Sequence, residues 1–186
     1  RNTDMLLNKA IPSVTGYTSA WVNIGELENK GVELALSGKP LATRDFNWTS
    51  SFNITFNRNK VLRLGTEGEQ LFSDGGRGDV SITQVGQPIG SFYGHQVEGI
   101  FTTQEQLSSH ATQTGAKLGD FMYKDIDGNR VINDADRTIL GNPQARAFYG
   151  FNNTFTYKNW SINILMNGVQ GKDVFWAGAV FVRGYH

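Results

Sequence analysis

The sequence contains no cysteine. Disulfide bonds, thiolate metal sites and a cysteine nucleophile are therefore excluded, although many exported proteins also lack cysteine and the compartment stays open. No run of 18 apolar residues occurs, so no transmembrane helix is available. The first seven residues are not a signal peptide, because Asp4 and Asn8 interrupt the short apolar run. An exported protein would carry its signal upstream of this stretch.

The sequence also lacks an excess of either charge. Lysine plus arginine and aspartate plus glutamate each number 17, which gives no reason to expect nucleic acid as a partner. A chain of 186 residues is long enough for one domain with a core. The 22 glycines and 12% aromatic residues argue against an all-helical protein and favour strands and tight turns.

Charge is absent where the strand signal is clearest, between Asp45 and Arg58. Apolar and polar residues alternate from Phe46 to Asn57, with Ser50 as the lapse on the apolar face. Alternation with a period of two predicts a β-strand, because a helix would scatter these residues around its axis. A second strand is predicted after Gly31, where Val32, Leu34 and Leu36 share one face. Residues 1–25 are weakly patterned, and 8–16 are expected to be extended and turn-rich.

Two further strands are predicted on either side of Lys158-Asn159, over 149–157 and 160–167. A two-residue turn places its flanking residues opposite each other on one face. The expected pairs are Tyr157 with Trp160, Phe155 with Ile162, Asn153 with Ile164, and Phe151 with Met166. The apolar faces of both strands coincide in this register, and a slip of one residue would destroy the match. Asn159 is suited to the positive φ that a type I′ turn requires.

Two kinds of sheet produce such alternation. A soluble β-sandwich is the commoner source, but soluble sheets carry Lys, Glu and Arg on the wet face, which also protects their edges. Here the polar faces consist of Asn, Thr, Ser and Gly, over lengths that match the roughly 9–11 residues of a transmembrane strand. Aromatic residues gather at strand ends, as in interfacial girdles. Together with one short turn and one long connection, 65–146, these features favour a membrane barrel.

The connection 65–146 is glycine-rich and reads as irregular, with a strand-like stretch at 96–101 and a short helix at 103–110 capped by Thr102 or Thr103. Carboxylate and amide side chains are most concentrated in residues 125–136, which we name the acidic loop. Alternate oxygen-bearing side chains can supply the six to eight ligands that Ca²⁺ takes. The candidate ligands are Asp125, Asp127, Asn129, the carbonyl of Val131, Asn133 and Asp136.

The acidic loop departs from the EF-hand pattern at two points. Arg130 occupies the sixth position, where glycine makes the sharp turn, and the last ligand, Asp136, is shorter than the usual Glu. The alternative is a solvated turn rich in Asx residues that binds no ion. If the loop does bind calcium, we expect the ion to stiffen an extracellular loop.

Other candidate sites are weaker. The loop aromatics Phe92, Tyr93 and Phe101 are candidates for substrate contact by stacking, although such residues more often pack the loop itself. The three histidines are scattered, without metal-ligand spacing. No nucleophile elbow or phosphate-binding loop is present. A paired-carboxylate hydrolase is the most distant alternative, and we expect no enzyme.

The order of short motifs resembles the C-terminal part of SusC/RagA-type TonB-dependent outer-membrane transporters. The segments that carry this resemblance are Asn23–Leu34, Phe46-Asn-Trp48, Phe52–Val61, Gly86–Gly94, Glu98–Phe101, Gly119–Asp136 with Arg137, Leu140–Pro143, Tyr149–Phe151 and Gly168–Asp173. Each is short, but their order and spacing cover nearly the whole chain.

The resemblance implies a barrel of about 22 strands with an N-terminal plug, in the outer membrane of a Gram-negative bacterium. It also implies energy from TonB through a missing N-terminal part, a SusD-like surface lipoprotein as partner, and import of oligosaccharides or peptides. Four or five strands cannot close such a barrel, so we expect a segment of a longer polypeptide.

The expected fold is therefore all-β, with antiparallel transmembrane strands that form part of a large barrel. Residues 1–64 would form barrel strands and a periplasmic turn, 65–146 an extracellular loop region, and 147–186 a barrel hairpin with the start of the next loop. The alternative is a soluble all-β module of a surface protein that binds glycans or calcium.

Overall fold

The computed structural model describes residues 2–10, 19–65, 68–74, 78–176 and 178. Within these ranges the chain forms antiparallel strands and one short helix, α1 (Gln104–Ser109). The strands are β1 (Asn2–Ala10), β2 (Ser19–Ala42), β3 (Phe46–Leu64), β4 (Gln70–Asp74), β5 (Asp79–Gln84), β6 (Ser91–His95), β7 (Val97–Ile100), β8 (Phe121–Tyr123), β9 (Arg137–Gly141), β10 (Ala147–Tyr157) and β11 (Trp160–Gln170). Among the described residues, no helix is long and apolar enough to cross a membrane.

The main sheet has the order β1-β2-β3-β10-β11, and each neighbouring pair is antiparallel. β3 precedes the long connection and β10 follows it, yet the two strands are hydrogen-bonded neighbours. Their register places Phe52 opposite Phe151 and Trp48 opposite Phe155. Since opposite residues share a face, the apolar stripes of the two strands form one continuous surface.

The predicted hairpin is confirmed. β10 and β11 pair Tyr157 with Trp160, Phe155 with Ile162, Asn153 with Ile164, and Phe151 with Met166. The conformation of the turn differs from the prediction, because the residue in the left-handed region is Lys158 (φ 52°) rather than Asn159. The ammonium of Lys158 lies 5.3 Å from the centre of the Tyr157 ring, so this turn residue also contacts the strand end.

At the β1 edge, the main sheet contains more strand residues than the sequence predicted. β1 occupies Asn2–Ala10 and pairs with β2, which has 24 residues and begins well before Gly31. Residues 8–10 are extended as predicted but lie in a strand rather than in turns, and 11–16 lie outside the described residues. β1 pairs along its length with β2, so backbone hydrogen bonds to a neighbouring strand form it despite its weak alternation.

The connection between β3 and β10 is more regular than predicted. It contains a sheet of order β4-β5-β6-β9, a pair β7-β8 and the helix α1. The predicted short strand and helix are both confirmed. Thr103 caps α1: its hydroxyl accepts from the Gln106 N–H, and the Gln106 side chain accepts from the Thr103 N–H, a capping box. The strands that were missed are only three to six residues long.

Contacts divide the chain into two compact units. The first comprises Arg1–Glu69, Gln84–Ile89 and Asn142–Val174, and it holds the main sheet. Within it, Val61 and Leu64 are buried, and the Val61 backbone exchanges hydrogen bonds with Gly86 and Gln87. The second comprises Gln70–Thr83, Gly90–Gly141 and Phe175–His186, and it holds the smaller sheets. Its buried apolar side chains include Ile82 and Phe101.

Candidate functional site

The apolar face of the main sheet is open rather than covered. We define it by its described apolar residues: Val32, Leu34, Leu36, Phe46, Trp48, Phe52, Ile54, Phe56, Tyr149, Phe151, Phe155, Tyr157, Trp160, Ile162, Ile164 and Met166. Val32 is 69% exposed, Ile162 61% and Trp160 78%. A soluble protein rarely exposes a contiguous apolar surface of this extent, which marks a contact with lipid or with another protein.

The opposite, polar face carries amides and hydroxyls. Asn163 is central there, because its side-chain amide donates to the Asn152 oxygen at 2.9 Å and to the Thr154 hydroxyl at 2.8 Å. The apolar exceptions that β10 and β11 place on this face are Phe148, Leu165 and Val169. Cross-strand bonds between uncharged polar groups allow β10 and β11 to present a wet surface without ionised side chains, whereas β2 contributes Glu33 to this face.

The two lapses in the apolar face lie next to each other. Ser50 and Asn153 are register partners across β3 and β10. Trp48 covers the pair: its indole N–H donates to the Asn153 side-chain oxygen at 3.0 Å, and its ring stacks on Phe155 with centroids 5.7 Å apart. Asn153 is 5% exposed as a result. An amide that would be costly in an apolar surface is thereby buried and hydrogen-bonded.

The acidic loop brings three of its predicted ligands together. One carboxylate oxygen each from Asp125, Asp127 and Asp136 lies within 4.8 Å of the others. Arg130 is the basic residue within 125–136, and its guanidinium donates to the Ser109 carbonyl. Three carboxylates at this separation repel one another unless a cation or protons compensate them.

The remaining predicted ligands take part in turns of the loop. Asn129 accepts from the Val131 N–H at 2.7 Å, and Asn133 accepts from the Ala135 N–H at 2.8 Å. Asn133 thereby caps the 3₁₀ turn Asp134–Asp136, while its amide donates to the Val131 carbonyl at 3.3 Å. Both side-chain amides therefore brace turns within the loop.

The backbone of the loop adopts the sharp turn that Arg130 was expected to oppose. Arg130 has φ 64°, in the left-handed region that favours glycine, and Gly128 has φ 74°. Both oxygens of Asp125 hold this turn, accepting from the Gly128 N–H at 2.8 Å and the Arg130 N–H at 2.7 Å. Thr112 clamps the next residues by bonding to the Arg130 carbonyl and the Ile132 N–H. The geometry of the sixth position is thus retained without glycine.

Asp136 is the fully buried member of the cluster. Hydrogen bonds from the N–H of Asn133 (2.9 Å) and of Ile126 (2.8 Å) favour its ionised form. The Asn133 bond is the largest cause that holds the pKa of Asp136 below its ordinary value of 3.8, whereas burial acts in the opposite direction. The carboxylate is therefore charged at neutral pH and ties the two ends of the acidic loop together.

The three loop aromatics make different contacts. Phe101 is buried and packs edge-on against His110, with ring centroids 5.3 Å apart. Tyr93 is half-buried between Phe72 at 5.6 Å and the Arg137 guanidinium at 4.7 Å from the ring centre. Phe92 lies 6.2 Å from Phe175. Each ring is engaged in packing. Phe92 and Tyr93 are half-buried and therefore more accessible than Phe101, which is buried.

Comparison with curated proteins identifies close resemblance along most of the chain. It is 34% identical over 180 residues to TonB-dependent receptor P3 of Formosa agariphila, a match that covers 94% of this chain and 18% of that receptor. It is 29% identical over 186 residues to TonB-dependent receptor SusC of Bacteroides thetaiotaomicron, covering 95% of this chain and 17% of that receptor. No family model matches the chain.

A solved structure of the RagAB peptide transporter has the same fold. It superimposes with a TM-score of 0.70 at 21% identity and covers 91% of this chain and 18% of that one. The antiparallel sheets described above therefore match part of a barrel structure. The chain spans 17 to 19% of the curated relatives it matches.

The sequence likeness defines the class: the chain is a segment of a TonB-dependent receptor of the Gram-negative outer membrane. Within that class it belongs to the SusC/RagA type, as its motif order predicted.

Two features of the site were not predicted from the sequence. The burial of Asn153 beneath Trp48 was not predicted, although Ser50 and Asn153 were the two lapses in the alternation and lapses at matching depths are a usable signal. The clamp of Thr112 on the acidic loop was also missed. It joins residues far apart in sequence through backbone groups, which carry no side-chain signature.

Proposed function

We propose that the main sheet is part of the wall of a transmembrane β-barrel and that the intact receptor imports a solute through it. The observation that supports this most directly is the open apolar face beside a polar face without acidic or basic side chains over 46–57, 147–157 and 159–170. Lipid would cover the apolar face, and water would fill the lumen beside the polar one. The connection 65–146 then forms long extracellular loops.

Peptides or oligosaccharides are the proposed cargo, with a SusD-like surface lipoprotein as partner and TonB as the source of energy. The structural neighbour is described as a peptide importer, which favours peptides as the first class to test. The test measures uptake of labelled peptides and labelled oligosaccharides by cells that produce the intact receptor. Accumulation that stops when the proton gradient is collapsed supports import, whereas no energy-dependent accumulation of either class contradicts it.

The acidic loop is proposed to bind Ca²⁺ and to brace the extracellular region. Three converging carboxylates, the left-handed turn at Arg130 and the short bridge between Val131 and Thr112 support this role. Asp125, Asp127 and Asp136 would provide the charged ligands, with the Val131 carbonyl and the Asn129 and Asn133 side chains completing the set. Ca²⁺ prefers such a shell of hard oxygens.

The calcium proposal is tested by thermal melting of the intact receptor with and without Ca²⁺. Asp125→Asn removes a clustered carboxylate, and Asp134→Asn removes an exposed one in the same loop outside the cluster. We expect Ca²⁺ to raise the melting temperature of the wild type and of Asp134→Asn but not of Asp125→Asn. Equal shifts in both variants, or none in the wild type at millimolar Ca²⁺, would contradict the proposal.

A further inference from the structure

The apolar face ends abruptly in charge at one end of β2 and β3. The register pairs run, in order along the two strands, Leu36 with Phe52, Leu34 with Ile54, Val32 with Phe56, Lys30 with Arg58 and Glu28 with Lys60. No register shift interrupts these pairs. Alternation therefore places Lys30, Arg58 and Lys60, which we name the cation tier, on the same face as the apolar residues.

The cations of this tier lie close together. Directly opposite residues of antiparallel strands have Cα atoms about 5 Å apart, and residues two apart on one strand are separated by about 7 Å. The long side chains of Lys30, Arg58 and Lys60 can thus reach one common anion. All three residues are exposed.

Only part of this charge is neutralised within the protein. Glu28 pairs with Lys30 at 2.9 Å, an ion pair in which the lysine side chain is 76% exposed. Arg58 and Lys60 form no ion pair with a described residue, so the tier keeps an excess of two positive charges. Exposed cations at the rim of an apolar surface match an amphiphile whose phosphate lies just above its acyl chains.

We propose that the cation tier binds the phosphate-bearing headgroup of an outer-leaflet lipid whose acyl chains lie on the apolar face below. This inference rests on the proposed barrel, in which the end of β3 that leads into the long connection faces outward. Val32 and Phe56, 69% and 50% exposed, form the first apolar step beneath the cations. Arg58 offers a planar fork for bidentate contact with phosphate, and Lys60 adds a point charge.

The test compares two matched double variants of the intact, detergent-solubilised receptor. Arg58→Gln with Lys60→Gln removes the two unpaired cations of the tier. Lys39→Gln with Arg44→Gln removes one lysine near the opposite end of β2 and one arginine in the turn that joins β2 to β3. The probes are bisphosphorylated lipid A, dephosphorylated lipid A and inorganic phosphate, with binding measured by native mass spectrometry.

We expect the tier variant to bind bisphosphorylated lipid A about 25-fold more weakly than wild type, since each of the two removed cations contributes about fivefold. The control variant should bind as wild type, and dephosphorylated lipid A should bind weakly to all. Arg58→Lys should bind between wild type and the tier variant, because lysine keeps the charge but loses the bidentate contact. Equal affinity of the tier and control variants would overturn the proposal. Inorganic phosphate that competes as well as lipid A would also overturn it, because the site would then be a free-anion site.

A parallel measurement separates this proposal from the barrel itself. Brominated lipids should quench the fluorescence of tryptophan on the apolar face in wild type and in both double variants. If quenching is normal and the tier variant binds lipid A as wild type does, only the proposed headgroup site is contradicted. If brominated lipids do not quench the wild type, the proposed barrel itself is contradicted.

Discussion

The indole N–H of Trp48 donates a hydrogen bond of 3.0 Å to the side-chain oxygen of Asn153, its diagonal neighbour across β3 and β10. This bond lies on the face of the main sheet that is otherwise apolar. Its consequence is that the only amide on the apolar face of β10 is covered by an aromatic ring rather than exposed to the surroundings.

Trp48→Phe should therefore destabilise the intact receptor by about 1–3 kcal/mol, because the Asn153 oxygen would remain buried without a partner. Unfolding in urea from detergent micelles measures the change. Asn153→Leu serves as the companion variant: it removes the need for the bond, so Trp48→Phe added to it should cost clearly less. If the two substitutions prove simply additive, the hydrogen bond does not couple these residues.

The glycines of β2 offer a matched test of strand packing. A Cβ on Gly31 would lie 2.5 Å from the Phe56 carbonyl oxygen, a backbone atom that cannot turn away, whereas nothing lies within 4 Å of a Cβ on Gly38. Gly31→Ala should cost about 1–3 kcal/mol by forcing β2 and β3 apart. Gly38→Ala should be neutral or slightly stabilising by the same unfolding measurement. Equal effects would show that the close approach at Gly31 is not constrained.

The left-handed conformation of Arg130 predicts a stabilising substitution. Arg130→Gly removes the steric cost of φ 64°, on the order of 1 kcal/mol, and should slow hydrogen exchange in the acidic loop. Arg130→Lys is the control, because it loses the guanidinium bond to Ser109 but keeps the strained backbone. Faster exchange in Arg130→Gly than in Arg130→Lys would mean that the Ser109 contact outweighs the strain.

The lowered pKa of Asp136 predicts that the stability of the acidic loop depends on pH. Its pKa is below 3.8 in the folded loop, so the unfolded loop binds a proton more readily. The stabilisation is present above the ordinary pKa and is lost as pH falls through the lower folded value. Hydrogen exchange of the acidic loop should thus accelerate below about pH 4, and Asp136→Asn should abolish that dependence. A wild-type loop with no change in this window would contradict the assignment.

The main sheet was largely predictable because its information is local. The register of β10 and β11 follows from alternation plus a two-residue turn, and both were visible in the residues from Tyr149 to Met166. β1 was missed because its residues do not alternate and its pairing partner decides its structure. The small sheets were missed because they join short, glycine-rich stretches such as β6 and β9, which are distant in sequence.

The acidic loop was predictable in composition but only partly in geometry. Its three carboxylates were expected to converge, and they do. The conformation of Arg130 was not foreseeable, because an arginine adopts a left-handed φ only when its surroundings impose it, here through Asp125 and Thr112. The roles of Asn129 and Asn133 as braces depend on backbone turns that spacing alone does not specify.

In the proposed barrel, lipid covers the apolar face of the main sheet and water covers the polar face. Single cysteines at Ser161, Ile162, Asn163 and Ile164 of β11, placed one at a time in a cysteine-free intact receptor in membranes, test it directly. Spin labels at 162 and 164 should be accessible to oxygen dissolved in lipid, and those at 161 and 163 to a water-soluble nickel chelate. Accessibility to the nickel chelate at all four positions, or the reverse alternation, would contradict the account.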